Sequence, residues 1–304
     1  MLSAMQDFFF GLKLKFLDAV GCGVFFCLRQ LERRLSPVAL WTLVSPLAAG
    51  RTALNMFFKK NRRSAALPEF LHGLAGVPAI RQQRRADYLN RLLKNFPDRL
   101  AENKWRTRCQ AEGLEHWHAA HRAGRPVVLA FFHFGPIFLM SYWLRALGIP
   151  AAAYTGGKSH RRLRLGKIRD SLSPVAGVPN LFYTDELRQS LAFLDAGNAL
   201  LIAIDSPAEK NVVIPGVDGW NFAMPTGPIR MAARRRAVLI PFSLVDTGGW
   251  NFRLQLHRPV PDKWLSGEEN FEAAAKHLLA ELLPVIQSQP EQCRTELARR
   301  FCKK

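Results

Sequence analysis

Two residues of this sequence stand where chemistry is usually placed. His133 lies in "FFHFGPIF", where the apolar run 127–132 breaks off, and Asp205 is the first polar residue after the apolar run 199–204. Each run is too short for an ordinary helix and lacks polar alternation, the mark of strands in a sheet covered on both faces. In such sheets ligands gather outside the carboxyl ends of the strands. A lone histidine there is equally a core residue with its hydrogen bonds satisfied, but two ionisable groups at equivalent strand ends favour a site. A neutral imidazole suits deprotonation of an alcohol. Gly135 permits a sharp turn and Pro136 suits a first helical position, so an open helix N-terminus beside His133 is expected to hold an oxyanion. No GxSxG occurs, and no serine or cysteine is near His133 in sequence. Direct transfer to an acceptor hydroxyl is therefore simpler than a covalent enzyme intermediate.

The elements that must position these residues follow from pattern. "EGLEHWHAAHRAGRP" reads as a helix through Ala123 stopped by Gly124. Strand 127–132 then precedes a helix expected from Pro136 to about Leu147, and 150–154 is a short strand. "DELRQSLAFLDAG" is a helix with Thr184 as N-cap and Gly197 as its stop. The runs 199–204 and 237–245 are buried strands, 251–260 alternates as an edge strand would, and a capping box from Ser266 to Glu269 opens a long final helix. Residues 59–122 read as helical and basic. The expectation is an α/β fold with a central, mostly parallel sheet flanked by helices.

Residues 1–58 differ from the rest. Apolar segments such as "VGCGVFFCL" and "PVALWTLVSPLAAG" are separated by the charged "RQLERR". None reaches the roughly 20 residues that a spanning helix needs, so an amphipathic helical lead lying in a membrane interface is expected, equally able to pack on the main domain. The boundaries are 1–58 for this lead and 59–304 for the α/β domain.

Charge narrows the partners. Among 304 residues, 43 Lys and Arg face 24 Asp and Glu, a net charge of +19, which favours an anionic partner. The basic clusters "KKNRR", "RQQRR", "HRRLRLGKIR" and "RRR" carry no interleaved aromatics and no zinc-finger or RNP-like signature. Nucleic acid is thereby disfavoured against an anionic membrane surface or an acidic carrier protein. Five cysteines without a CxxC pair indicate a reducing compartment and no zinc site. No metal or organic cofactor is implied.

The segment "EGLEHWHAAHRAGRPVVLAFFHFGPIF" resembles the stretch of bacterial lipid A late acyltransferases (lauroyl and myristoyl transferases) that leads into their His-x4-Asp/Glu motif. "GKIRDS", "LAFLDAGNALLIAIDSP", "MPTGPIRMAARRRAVLIPFSL" and "PEQCRTELARRF" are similar to later segments of that family, in the same order, between about residues 110 and 302. The resemblance implies an acyltransferase of lipid biosynthesis, with His133 as base, Asp205 as the conserved aspartate and Arg169 as the substrate-binding arginine. It further implies substrate contacts at Gly135, Thr226 and Gly227. The donor would be acyl-acyl carrier protein or acyl-coenzyme A, and the acceptor a membrane lipid or glycolipid. The place would be the cytoplasmic face of the cell inner membrane, held peripherally or monotopically.

One feature of the family's pattern is missing. The family's acid lies five residues after the histidine, and here that position is Phe138. Three outcomes are open: a decayed site that only binds lipid or a partner, another acid such as Asp205 or Asp170 reaching His133 through space, or a backbone carbonyl orienting the ring. Catalysis with an altered dyad is the expectation.

Overall fold

The structure is a computed structural model that describes residues 19–58, 77–156, 181–216 and 219–303, with positions 168, 171, 172, 175 and 179 between them. Helix α1 (residues 19–34) and α2 (Pro37–Phe58) lead into α3 (Val77–Leu92), a short helix α4 (Asn103–Arg106) and strand β1 (Cys109–Glu112). Then follow α5 (Leu114–Arg122), β2 (Val127–Phe131), α6 (Met140–Ala146), β3 (Ala151–Thr155), β4 (Leu181–Tyr183), α7 (Leu187–Asp195) and β5 (Ala199–Ala203). The chain continues through β6 (Asn211–Pro215), β7 (Trp220–Pro225), α8 (Gly227–Arg235), β8 (Val238–Gly248) and β9 (Asn251–Leu256). It closes with α9 (Phe271–Ser288), the short helix α10 (Thr295–Ala298) and β10 (Phe301–Lys303).

Seven strands form the central sheet in the order β1-β9-β8-β2-β5-β3-β4. All its pairings are parallel except β8 with β9. The apolar runs behave as a doubly covered sheet requires. Val127, Leu129 and Phe131 of β2 point into one core and Val128 and Ala130 into the other, with Phe132 just past the strand. The first core is closed by α1, α2, α3, α5 and α6; the second by α7, α8, α9 and a three-stranded sheet of β10, β7 and β6. Burying each large apolar side chain contributes about 1.5–3 kcal/mol.

The lead is fastened to the domain through its polar side. Arg29 makes a two-pronged ion pair with Asp98, both contacts at 2.7 Å. Buried Glu32 accepts from Lys104 at 2.6 Å, Trp105 Nε1 at 2.9 Å and Arg99 at 3.1 Å. Those donors outweigh burial and hold its carboxyl below the usual range.

Several local expectations change. Residues 109–112, read as part of a helical region, form β1 and take the sheet edge, so β9 is internal. The alternation of β9 reports a strand whose Phe252, Leu254 and Leu256 face the first core. The helix expected from Pro136 starts only at Met140. Pro136 has ψ 61, and a single 3-10 turn, Ile137–Leu139, intervenes. Ser266 donates to Lys263 O instead of capping, and Asn270 stands at the N-cap of α9. Before α7, Thr184 lies inside a 3-10 turn, and Glu186 accepts from the Tyr183 N–H at 3.0 Å.

Candidate active site

β2 and β5 lie side by side, parallel, with Phe131 opposite Ala203. Ile204 N–H donates to Phe131 O at 2.9 Å, which carries the pairing one step beyond the strands. The next residues on this line are His133 and Asp205. The buried Asp205 carboxylate holds His133 twice, accepting from its backbone N–H at 2.8 Å and facing ring Nδ1 at 2.7 Å. A carboxylate can only accept, so Nδ1 carries the proton and Nε2 keeps the lone pair of a base. The imidazole is 21% exposed, enough to meet a substrate, whereas Asp205 is sealed.

Electrostatics follow from this geometry. Burial alone would lower the His133 pKa, and Arg294 adds to that. The hydrogen bond and charge of Asp205, helped by Glu296, outweigh both and raise it above the ordinary value.

The turn after His133 is held from the C-terminal segment. Gly135 has φ +64, and a Cβ there would stand 2.2 Å from Leu244 O, so only glycine fits. Its N–H donates to Gln292 O at 3.1 Å, and its carbonyl accepts from the Arg294 guanidinium at 3.1 and 3.3 Å. Arg294 N–H also donates to His133 O at 3.0 Å. Gln292 is locked in turn by a reciprocal pair of bonds to the Asp246 backbone, 2.8 and 3.1 Å. On the other strand, Arg300 Nε donates to Asp205 O at 3.1 Å, and a second guanidinium nitrogen reaches Ser206 O.

This wiring takes up the amides from which the oxyanion hole was expected. The amides of residues 133, 134, 135 and 137 donate to Asp205, Phe132, Gln292 and Gly135, and residue 136 is proline. Among the described residues, the helix after His133 begins only at Met140 and does not open beside the imidazole's own turn. Cys293, bridged to Phe134, is close in space but poor as a nucleophile: burial, with the charges of Asp205 and Glu291, pushes its thiol far above the ordinary value.

Phe138 stands among cations. Its ring centroid is 4.8 Å from the Arg91 guanidinium carbon, 5.7 Å from Lys94 Nζ and 5.7 Å from the Arg294 guanidinium carbon. Each such contact contributes about 0.5–1 kcal/mol when exposed.

The other anticipated residues are less gathered. Thr226 and Gly227 begin α8 after β7, where buried Thr226 donates through its N–H to Lys210 O at 3.2 Å. Among the described residues, no hydrogen bond joins either to His133 or Asp205. Arg169 and Asp170 lie outside the described residues. Gln292, Arg294 and Arg300 were not anticipated, although all three sit in or beside the quoted "PEQCRTELARRF".

Residues 96–301 match the family described as bacterial lipid A biosynthesis acyltransferase. The chain belongs to that family. The family reading therefore covers both strands of the His133–Asp205 pair and the C-terminal segment that clamps them. A structural likeness, with TM-score 0.40 and 13% identity, is found to the 1-acyl-sn-glycerophosphate (LPA) acyltransferase PlsC from Thermotoga maritima, spanning 78% of this chain and 94% of that one. No curated protein matches the sequence.

Proposed function

We propose that this acyltransferase-family protein moves a fatty acyl group from an acyl thioester, on acyl carrier protein or coenzyme A, to a hydroxyl of a membrane lipid or glycolipid. The observation that carries the reading is the paired contact of Asp205 with His133 at 2.7 and 2.8 Å. His133 Nε2 takes the acceptor hydroxyl proton as that oxygen attacks the thioester carbonyl. Asp205 keeps the proton on Nδ1 and stabilises the imidazolium. Collapse of the tetrahedral intermediate breaks the carbon–sulfur bond, and the imidazolium returns the proton to the departing sulfur. With the amides of residues 133, 134, 135 and 137 occupied, the developing oxyanion is assigned to the field of Arg294, whose charge His133 already senses.

Arg169 is assigned to grip an anionic substrate group, as the family resemblance implies, and Gly135, Thr226 and Gly227 to shape the substrate's surroundings. The protein is placed on the cytoplasmic face of the inner membrane, held peripherally or monotopically. Exposed Val20, Val24, Phe26 and Leu31 on α1, with Val38, Leu43 and Leu47 on α2, support this placement. No helix among the described residues is long and apolar enough to cross a membrane.

The test is lipid mass spectrometry of cells carrying wild-type protein or His133→Ala. An acylated lipid present only with wild type is expected. Identical lipid profiles, with both proteins folded and at equal abundance, would leave a lipid-binding role without catalysis.

A further inference from the structure

The pairing of β2 with β5 runs to Phe131 and Ala203, and the Ile204 bond to Phe131 O adds one step. One residue further, the main chain is held from the C-terminal segment. On the β2 side, Arg294 N–H donates to His133 O at 3.0 Å. On the β5 side, the Arg300 guanidinium donates through Nε to Asp205 O at 3.1 Å and through a terminal nitrogen to Ser206 O. Its other terminal nitrogen reaches Asn211 Oδ1 at 3.3 Å, where β6 begins. One rigid, planar fork thus ties together the chain leaving β5 and the start of the next strand.

Arg300 is itself fixed through its main chain. Its N–H donates to Leu297 O at 3.0 Å, and its carbonyl accepts from Ala223 N–H at 3.0 Å. The next residue, Phe301, is buried and opens β10 opposite Phe222 of β7. Leu297, fully buried in the second core, anchors the chain between Arg294 and Arg300. A single segment therefore grips both strand ends.

We propose that Arg300 is a positioning residue for the dyad: by holding the Asp205 and Ser206 carbonyls it fixes the peptide that aims the Asp205 carboxylate at His133 Nδ1. The inference rests on the acyl-transfer reading and adds to it a residue that acts through Asp205. The Asp205 carboxylate meets the His133 N–H and the ring nitrogen at the same time. So short a side chain reaches both from a narrow range of main-chain orientations, which rotation of the peptide after it would leave. A misplacement of about 1 Å in a catalytic group can cost about 10²-fold in rate.

The experiment separates aiming from charge and from stability. The charged groups that act on the His133 ring are Asp205 from β5, with Arg294 and Glu296 from the C-terminal segment. Loss of a nearby cation would by itself raise the ring's pKa. Loosening of Asp205 would lower it, because burial is then less opposed. Heteronuclear NMR of the full chain, with the His133 signals identified by their loss in His133→Ala, reads both the pKa and the tautomer. Arg300→Gln is expected to lower that pKa by about one pH unit or more and to mix the Nε2–H tautomer into the Nδ1–H form. In turnover, kcat should fall by about tenfold to a hundredfold with KM little changed. Arg300→Lys keeps the charge without the fork and should lie between the two. Should Arg300→Gln not fold, Arg300→Lys carries the same titration. Glu32→Ala, a destabilising change in the lead, should leave the ring's pKa and tautomer as in wild type. An unchanged or raised pKa in the Arg300 variants overturns the positioning role, as does a matching fall in Glu32→Ala or a raised KM at unchanged kcat. The titration needs no turnover, so a lowered pKa in a protein that transfers no acyl group would overturn only the acyl-transfer reading.

Discussion

His133 and Asp205 are separated by the same 72 residues that set Val127 opposite Ala199 in the β2–β5 pairing. The register of two parallel strands, carried two residues past their ends, thus brings a carboxylate to 2.7 Å from an imidazole without any local motif. Adjacent parallel strands hold their relative positions through evenly spaced hydrogen bonds.

That geometry predicts the behaviour of Asp205→Asn. The amide removes the charge that offsets burial, so the His133 pKa should fall from its raised value. The acidic limb of the pH dependence of kcat/KM, expected above the ordinary histidine value of about 6.5 in wild type, should move to lower pH. Maximum kcat should drop as well, by up to ~10⁴-fold if the template of the serine-protease aspartate applies. A variant with an unmoved acidic limb would show that His133 is not the titrating base.

Much of this was legible in the sequence because it depends on short-range pattern. The runs 127–132, 199–204 and 237–245 announced a doubly covered sheet, and their ends announced His133 and Asp205. The order of the strands was not legible, since no sequence pattern says that β2 neighbours β5; the register brings Asp205 to the imidazole, while Asp170 lies outside the described residues. The strands of the smaller sheet were missed for a related reason. β6 alternates in burial but not in residue type, because exposed Val213 stands between inward Val212 and Ile214, and β10 has only three residues, so their pairing with β7 decides them. The Pro136 expectation failed because tertiary bonds from Gln292 and Arg294 capture the turn before a helix can start.

Phe138→Glu tests whether the family's spacing can be restored. A glutamate at this position would meet Arg91, Lys94 and Arg294, while Nδ1 of His133 is already taken by Asp205. Activity should therefore fall, through a raised KM more than a lowered kcat. A rise in kcat above wild type would mean that the new carboxylate serves the imidazole after all.

The lead predicts how the protein meets a bilayer. Phe26 and Leu47 are 59% and 73% exposed, far more than large apolar side chains in a folded core. Replacing both by Ser should weaken binding to anionic vesicles by about tenfold or more, given about 1.5–3 kcal/mol for burying each. Raising salt should weaken binding further by screening the basic clusters. Unchanged vesicle binding would move the contact surface away from α1 and α2. Glu32→Ala gives a contrasting result: it strips a buried carboxylate from Lys104, Arg99 and Trp105. It should cost about 2–3 kcal/mol in urea unfolding, at the lower end for a broken pair because both cations keep access to water.

His257 should make the protein sensitive to acid by a route independent of His133. Its side chain is 5% exposed, with Nε2 3.0 Å from Ser243 Oγ and Nδ1 3.8 Å from Glu281. Burial pushes its pKa down to about 4, against a partial lift from Glu281 and with a small push the same way from His116. Glu281 is also engaged by Arg258 at 2.7 Å, which blunts its help. Above pH ~6.5 the residue is neutral folded and unfolded, and stability is unaffected. As pH falls below that value the unfolded chain takes up a proton that the folded chain refuses, and stability is lost until about pH 4. The full loss is roughly 3 kcal/mol at about 1.36 kcal/mol per unit. His133 acts in the opposite sense: its pKa is raised by Asp205, so its contribution is complete below ~6.5 and disappears as pH rises through the folded value. Urea unfolding of wild type, His257→Gln and His133→Gln between pH 4 and pH 8 separates the two. The His257 variant should lose less stability than wild type on acidification, and the His133 variant more. Parallel curves for wild type and His257→Gln would mean that the buried ring is protonated in the folded protein, which its burial opposes.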